Sequence, residues 1–292
     1  MSGGVSSDVF KVRTAGGVDL VVKRSIPRLR VAADWRAPVT RDAGEVAWLT
    51  AVNEIEPGLV PEVLAWDRER HLFVMPWLGA APVWKGEMAA GRVDPAFAGA
   101  VGKALARLHA ALAGTKDTFG GAANFAALRI DPFLRHTARR HPDVAARLVE
   151  LAEDLASRKS TLIWGDASPK NILVGEGGPI FLDAETATIG DPAFDVAFCL
   201  NHLLLKTVWL APHAGALTAS YAALTDAYRP DADVSRRAAG LIGALLLARV
   251  DGKSPAGYLD PAGEAVIRRR AKALLARRDL DLEGVLEAWA EL

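Results

Sequence analysis

Asp166 and Asn171 stand five residues apart, and Asp183 closes the apolar run Ile180-Phe181-Leu182 twelve residues after Asn171. Phosphoryl transfer needs these residue types at close quarters. One carboxylate meets the attacking hydroxyl, while an amide oxygen and a second carboxylate hold magnesium on nucleotide phosphates. A turn-strand-turn-strand layout brings the three to one end of a small sheet. The plain alternative is an ordinary hairpin with polar ends. At roughly one in twenty per fixed residue, Gly165-Asp166, Asn171 and Asp183 in this register are uncommon by accident.

The elements that must hold these residues follow from the hydrophobic period. Val9-Phe10-Lys11-Val12-Arg13-Thr14 alternates as a half-buried strand does; Ala15-Gly16-Gly17 makes a turn and Asp19 to Lys23 gives a second strand. Asp42 to Val52 reads as a helix, and Val60 to Trp66 and His71 to Met75 as two more strands around the turn Asp67 to Arg70. Beyond Leu78-Gly79 the period moves toward 3.6. Val101, Leu105, Leu108 and Leu112 share one helical face, and Pro142–Leu155, Gly240–Leu247 and Ala262–Arg277 also read as helical. One β-rich island interrupts them, made of Leu162–Trp164, Ile172–Val174 and Ile180–Leu182. Strands first and helices second predict an α+β chain of two lobes, 1–78 and 79–292, with a ligand cleft between them. Loops are expected at Gly120–Pro132 and Arg249–Tyr258.

Composition narrows the function. The 292 residues are 51% hydrophobic and 24% charged, enough for a large core and too apolar for disorder. Thirty-five Lys and Arg balance thirty-five Asp and Glu, which argues against a chain built to grip nucleic acid or an anionic membrane. A single cysteine, Cys199, excludes an internal disulfide and a multi-cysteine metal site, and its apolar surroundings predict burial. The first residues lack a basic region followed by an apolar run, and no apolar stretch reaches the roughly 18–20 residues of a membrane span. A soluble, cytoplasmic protein is expected.

Gly165-Asp166, Asn171-Ile172-Leu173, Asp183-Ala184-Glu185 and Gly190-Asp191-Pro192-Ala193-Phe194-Asp195 resemble the signature of the aminoglycoside phosphotransferase and choline kinase superfamily, which has the protein-kinase-like fold. Val22 to Arg30, with Trp35 and Arg41, is similar to the first lobe of 5-methylthioribose kinases, as is Asn201-His202-Leu203-Leu204-Leu205. The resemblance spans nearly the whole chain and is specific for fold rather than substrate. It implies ATP and magnesium as cofactors and a hydroxyl of a small polar metabolite (a sugar, aminocyclitol or amino alcohol) as acceptor. A catalytically inactive binding or scaffold protein of the same fold is the alternative.

The resemblance also implies roles. Asp166 would position the hydroxyl and take its proton late. Asn171 and Asp183 would ligate magnesium, with Glu185 an alternate or supporting ligand. Lys23 would neutralise phosphate and be held by Glu45, and Asp195 would brace the catalytic loop through backbone hydrogen bonds. Gly3-Gly4-Val5-Ser6-Ser7 looks like the phosphate loop, with Met1-Ser2 ahead of it, so either the chain begins late relative to its relatives or the nucleotide roof lacks a strand. In the hinge Val74-Met75-Pro76-Trp77-Leu78, Pro76 has no N–H, so Trp77 or Leu78 would donate to the base. Arg249, Asp251 and Lys253 sit where related kinases bring C-terminal residues to the acceptor. The family usually reads His-Gly-Asp where this chain has Trp164-Gly165-Asp166; an indole offers one donor and more bulk. Asp191 reads equally as a helix-start acid, His109 as structural, and Arg268–Arg270 and Arg277–Arg278 as a solvated helix face.

Overall fold

A computed structural model describes residues 6–30, 35–79, 81–116 and 121–292. Strands β1 (Ser7–Arg13) and β2 (Asp19–Ser25) form a hairpin, followed by α1 (Arg41–Ile55), β3 (Ala65–Asp67) and β4 (Leu72–Pro76). The four strands make one antiparallel sheet in the order β1-β2-β4-β3. Side chains alternate across a strand, so the face of β2 that buries Val21 and Ser25 also buries Lys23 between them. Lys23 pairs with Val9 on one side and Phe73 on the other. Helix α1 lays Trp48, Leu49 and Val52 into the core.

The second part is mainly helical. It runs through α2 (Trp84–Ala89), α3 (Pro95–Ala111), α4 (Gly121–Phe125), a π-helical stretch (Ala126–Arg135), α5 (His136–Arg140) and α6 (Ala145–Ser157). A β-rich centre follows. Strand β5 (Thr161–Ile163) pairs with β8 (Thr188–Gly190), and between them β6 (Ile172–Gly175) and β7 (Gly178–Phe181) form a hairpin. Five helices complete the chain: α7 (Pro192–Trp209), α8 (Ala214–Tyr228), α9 (Ala232–Asp251), α10 (Pro261–Ala276) and α11 (Leu282–Glu291). Helix α7 is the central post, buried from Ala193 through Thr207. Asp191 caps it by accepting from Ala193 N–H and pairs with Arg237 at 2.7 Å, which makes it a structural acid.

The fold is α+β and two-lobed, a small antiparallel sheet followed by a larger helical part. Three expectations change. Only Ala65 and Trp66 of the run Val60–Trp66 are strand, within β3; Val60, with Leu59 before it, instead turns into the core. The segment read as a loop up to Pro132 is helical from Gly121 onward, its apolar residues Phe125, Leu128, Ile130 and Phe133 packing inward. The loop expected at Arg249–Tyr258 begins later, because α9 continues to Asp251 and buries Val250 and Asp251. Among the described residues no single helix is long and apolar enough to cross a membrane; α7 and α8 together are, but they bend by 119° and lie in the core.

Helices α3 and α8 approach closely at Gly102, where an added Cβ would stand 2.3 Å from the Leu224 carbonyl oxygen. Backbone cannot yield there as a side-chain tip can. Gly102→Val should therefore cost about 1–3 kcal/mol and lower the melting temperature by several degrees, at roughly 2–4 °C per kcal/mol. A thermal melt equal to the parent's would show that the helices do not meet there.

Candidate active site

The hairpin β6–β7 sets the geometry. Its ladder continues one step past the strands, Leu182 N–H donating to the Asn171 carbonyl at 2.9 Å, so Asn171 and Asp183 emerge at the same end. Asp183 has φ of 63°, a left-handed conformation that turns its side chain away from the strand direction. From there it reaches Lys23 Nζ at 2.6 Å. The same ammonium lies 2.7 Å from Glu45 of α1, and Glu45 also accepts from Ala184 N–H at 3.2 Å. Burial opposes the charge on Lys23, but Asp183, Glu45 and Glu185 outweigh it and hold the ammonium protonated. Burial likewise raises the Asp183 carboxyl, and Lys23 and Lys170 overcome it, holding Asp183 well below the usual carboxylate range. Glu45 moves the other way: burial raises it further than Lys23 lowers it.

Asp166 follows β5 on a loop that needs Gly165. That glycine has φ of +78°, and a Cβ there would stand 2.6 Å from the Thr186 carbonyl. Asp195 accepts from the N–H groups of Trp164 and Gly165 at 2.8 and 2.7 Å, and His109 meets it at 3.1 Å while its other nitrogen meets Tyr228. Trp164 adds a different support. Its ring stacks between Trp48 and Phe181, with centroids 5.6 and 4.6 Å away, and its indole N–H donates to the Asp183 carbonyl at 3.2 Å. The buried Asp166 carboxylate accepts from Asn171 Nδ2 at 2.7 Å and pairs with Arg129 at 3.0 Å and Lys170 at 3.2 Å. Asn171 Nδ2 also donates to the Asp166 carbonyl, so the amide oxygen Oδ1 is left for an outside partner.

Other expected residues are placed differently. Glu185 is committed to Arg41 Nε at 2.8 Å. Among the described residues no group of three or more His, Cys, Asp or Glu side chains could hold a metal. Ser6 and Ser7 lead into β1 and are buried: Ser7 pairs with Ser25, and the Ser6 carbonyl accepts from Ile26 N–H and from Arg41. Gly3, Gly4 and Val5 lie outside the described residues. Trp77 N–H is spent on the Asp19 carbonyl at 3.2 Å, so it does not face a ligand. Asp251 is buried in a structural knot, 2.7 Å from Arg268 and 2.9 Å from His141. Lys253 anchors the turn after α9 through its N–H to Pro132. Cys199 is buried, which pushes its thiol up to about 12. Arg249, by contrast, comes close enough to feel the charge of Asp166.

A mainly apolar cavity of about 290 Å³ opens beside the β6–β7 hairpin. Val9 and Val21 form one wall, Leu173 and Leu182 the other, and Met75–Gly79 the edge. Two contributors escaped the sequence reading. Arg129 donates to the Gly165 carbonyl at 2.7 Å besides pairing with Asp166, and no local pattern marks it. Lys206 is buried on α7 with its described hydrogen bond going to the His202 carbonyl one turn back. A lysine in an apolar helix is the signal that could have found it.

Comparison with known proteins follows the same lines. The family model described as "Phosphotransferase enzyme family" matches residues 1–230. A methylthioribose kinase from Yersinia enterocolitica is 28% identical over 240 residues, covering 71% of this chain. The chain spans 59% of that curated relative's length. Among solved structures, a choline/ethanolamine kinase family protein from Mesorhizobium loti is similar with a TM-score of 0.60 and 18% identity, covering 99% of this chain and 91% of its own. An aminoglycoside phosphotransferase from Alicyclobacillus acidocaldarius has a TM-score of 0.56 and 14% identity, covering 100% and 93%. At such identities the two structures establish the fold.

Burial and the neighbouring Lys85 and Arg249 push Lys206 down to about 7. From about pH 7 toward the ordinary lysine value of 10.5, the unfolded chain keeps a proton that the folded chain has released. Folding stability is therefore expected to rise with pH across this window, by up to roughly 1.4 kcal/mol per pH unit from this group. Lys206→Met should flatten that slope, and denaturant titrations at pH 7 and pH 9 check it; an unchanged slope would mean Lys206 stays charged.

Proposed function

The chain belongs to the phosphotransferase enzyme family, and from that premise we propose that it transfers the γ-phosphoryl group of ATP to a hydroxyl of a small polar metabolite. One observation carries the reading. A single hairpin end joins a carboxylate paired with a buried lysine, Asp183 to Lys23 at 2.6 Å, to an amide bonded to a second carboxylate, Asn171 to Asp166 at 2.7 Å. A scaffold has no chemical need for all four.

Each residue has a task the reaction requires. The apolar cavity would take the base, with Leu78 N–H as the hinge donor because Trp77 N–H is already used. Lys23 would neutralise phosphate oxygens, with Glu45 keeping it in place. Asn171 Oδ1 and the Asp183 carboxylate are hard oxygen donors, a set that suits Mg²⁺ when the phosphates supply further ligands. The bound ion would screen the phosphate charge. Residues 1–78 would thus hold the nucleotide and 79–292 supply the catalytic and acceptor groups.

Asp166 would orient the acceptor hydroxyl and accept its proton late in the transfer. The loose transition state of phosphoryl transfer makes positioning the larger task. Arg129, Lys170 and Asn171 surround Asp166 and set its direction.

Asp166→Asn keeps size and removes the proton acceptor. Turnover should fall at least about a hundredfold, within the range of general-base and positioning roles, while Mg-ATP affinity changes less than about tenfold. Steady-state kinetics with nucleotide titration test this, and turnover near the parent's would remove Asp166 from the chemistry. Asp183→Asn should instead abolish the magnesium dependence of nucleotide binding, read by calorimetry with and without the ion. Tight Mg-ATP binding by that variant would show that the metal ligands lie elsewhere.

A further inference from the structure

On the acceptor side of Asp166 the described side chains are cationic and aromatic. Lys206 of α7 is 1% exposed and makes one described hydrogen bond, to a backbone carbonyl. Its ammonium lies 5.8 Å from the centre of the Tyr258 ring, and the Lys85 ammonium of α2 lies 4.8 Å from the same ring. Trp209 packs on Tyr258 with centroids 4.4 Å apart. Arg249 of α9 gives Nη1 to Ser254, but its buried Nε has no partner, and neither does the buried Tyr258 hydroxyl. Lys85, Lys206 and Arg249 repel one another: burial lowers each, and each of the two lysines is lowered further by Arg249. The buried His202 beside them is held well below its ordinary value by burial and then by Lys206, Arg249, Lys170 and Lys85.

No carboxylate among the described residues forms an ion pair with Lys85, Lys206 or Arg249. Asp166, the acid that Arg249 feels, is already paired with Arg129 and Lys170. The Cys199 thiol stays protonated and brings no charge. Gathering unpaired cations in a partly buried place costs stability, and a cost of that kind is removed when an anion arrives. A choline-like or amino-bearing acceptor would meet like charge there.

We propose that the acceptor is an anionic polyol, a small hydroxyl compound whose carboxylate or phosphate is held by Arg249, Lys206 and Lys85, with the Tyr258 hydroxyl as a further donor. The proposal rests on the kinase reading and names its substrate class. Its hydroxyl oxygen forms the bond to the γ-phosphorus as the bond to the β-bridging oxygen breaks. ADP leaves, and the hydroxyl proton passes to Asp166.

The test uses the full chain loaded with Mg-ADP and titrated calorimetrically with D-gluconate, ribose 5-phosphate, ribose and choline. At least one of the two anions should bind about tenfold or more tighter than ribose and choline, the scale of a desolvated charge contact. Gluconate in the lead identifies a carboxylate, and ribose 5-phosphate a phosphate. Arg249→Gln and the less buried Lys85→Ala should each weaken the preferred anion at least about fivefold while Mg-ATP affinity stays within about threefold. Lys85→Ala keeps the test decisive should the Arg249 variant fold poorly. No preference for either anion, absence of binding by all four included, overturns the proposal, as does a variant that weakens Mg-ATP as much as the anion. Failure of the parent to bind Mg-ATP is a different result and would overturn the kinase reading itself.

Discussion

The Lys23 ammonium, shared between Glu45 and Asp183, is the contact on which the arrangement depends. It joins β2, α1 and the chain just beyond β7, and two further bonds run beside it: Glu45 to Ala184 N–H and Arg41 to Glu185. All three join the sheet-bearing part of the chain to the residues 183–185. Buried ion pairs of this sort seldom add much net stability, because removing the charges from water offsets their attraction. Their value here is register. With the charges matched, Asp183 can stand in one place relative to Lys23; with any partner missing, a buried charge is left uncompensated.

A second set of buried polar contacts holds the Asp166 loop from behind. Asp195 satisfies two backbone N–H groups and is itself met by His109, whose other nitrogen meets Tyr228. That chain of bonds reaches from the loop through α7 and α3 to the end of α8. It explains how Trp164 can stand where the family resemblance implies a histidine. The loop's orientation comes from Asp195 acting on the backbone, while the indole fills the space between Trp48 and Phe181 and gives its single donor to the Asp183 carbonyl. Packing and one hydrogen bond replace a smaller ring with two polar atoms.

Charge is distributed unevenly around Asp166. Around Lys23, lysine and carboxylates are matched within hydrogen-bond distance. Around Tyr258, Lys85, Lys206 and Arg249 face aromatic rings and one another. A chain with no net charge therefore carries a local excess that its composition conceals. Composition averages over the surface and interior alike, whereas a binding site depends on the few groups that converge.

Some of this architecture was legible in the amino-acid order. Asp166, Asn171 and Asp183 lie within one short segment, so their spacing along a hairpin fixes their placement at its end. The strands β1 and β2 and the helices α3 and α10 follow from periods of 2 and 3.6, which are properties of local backbone geometry. Other features depend on residues that meet only after the chain has folded. Arg129 reaches Gly165 across 36 residues, His109 reaches Asp195 across 86, and Arg41 reaches Glu185 across 144. No local pattern encodes such meetings. The same holds for groups whose use is decided by a neighbour: Trp77 N–H is taken by Asp19, Asp251 by Arg268 and His141, and the Ser6 carbonyl by Ile26 N–H and Arg41. Sequence determined which chemical groups were present and which short elements would carry them. Tertiary structure decided which groups were consumed in holding the fold and which were left facing a ligand, because each donor or charge is spent by whatever packs closest to it.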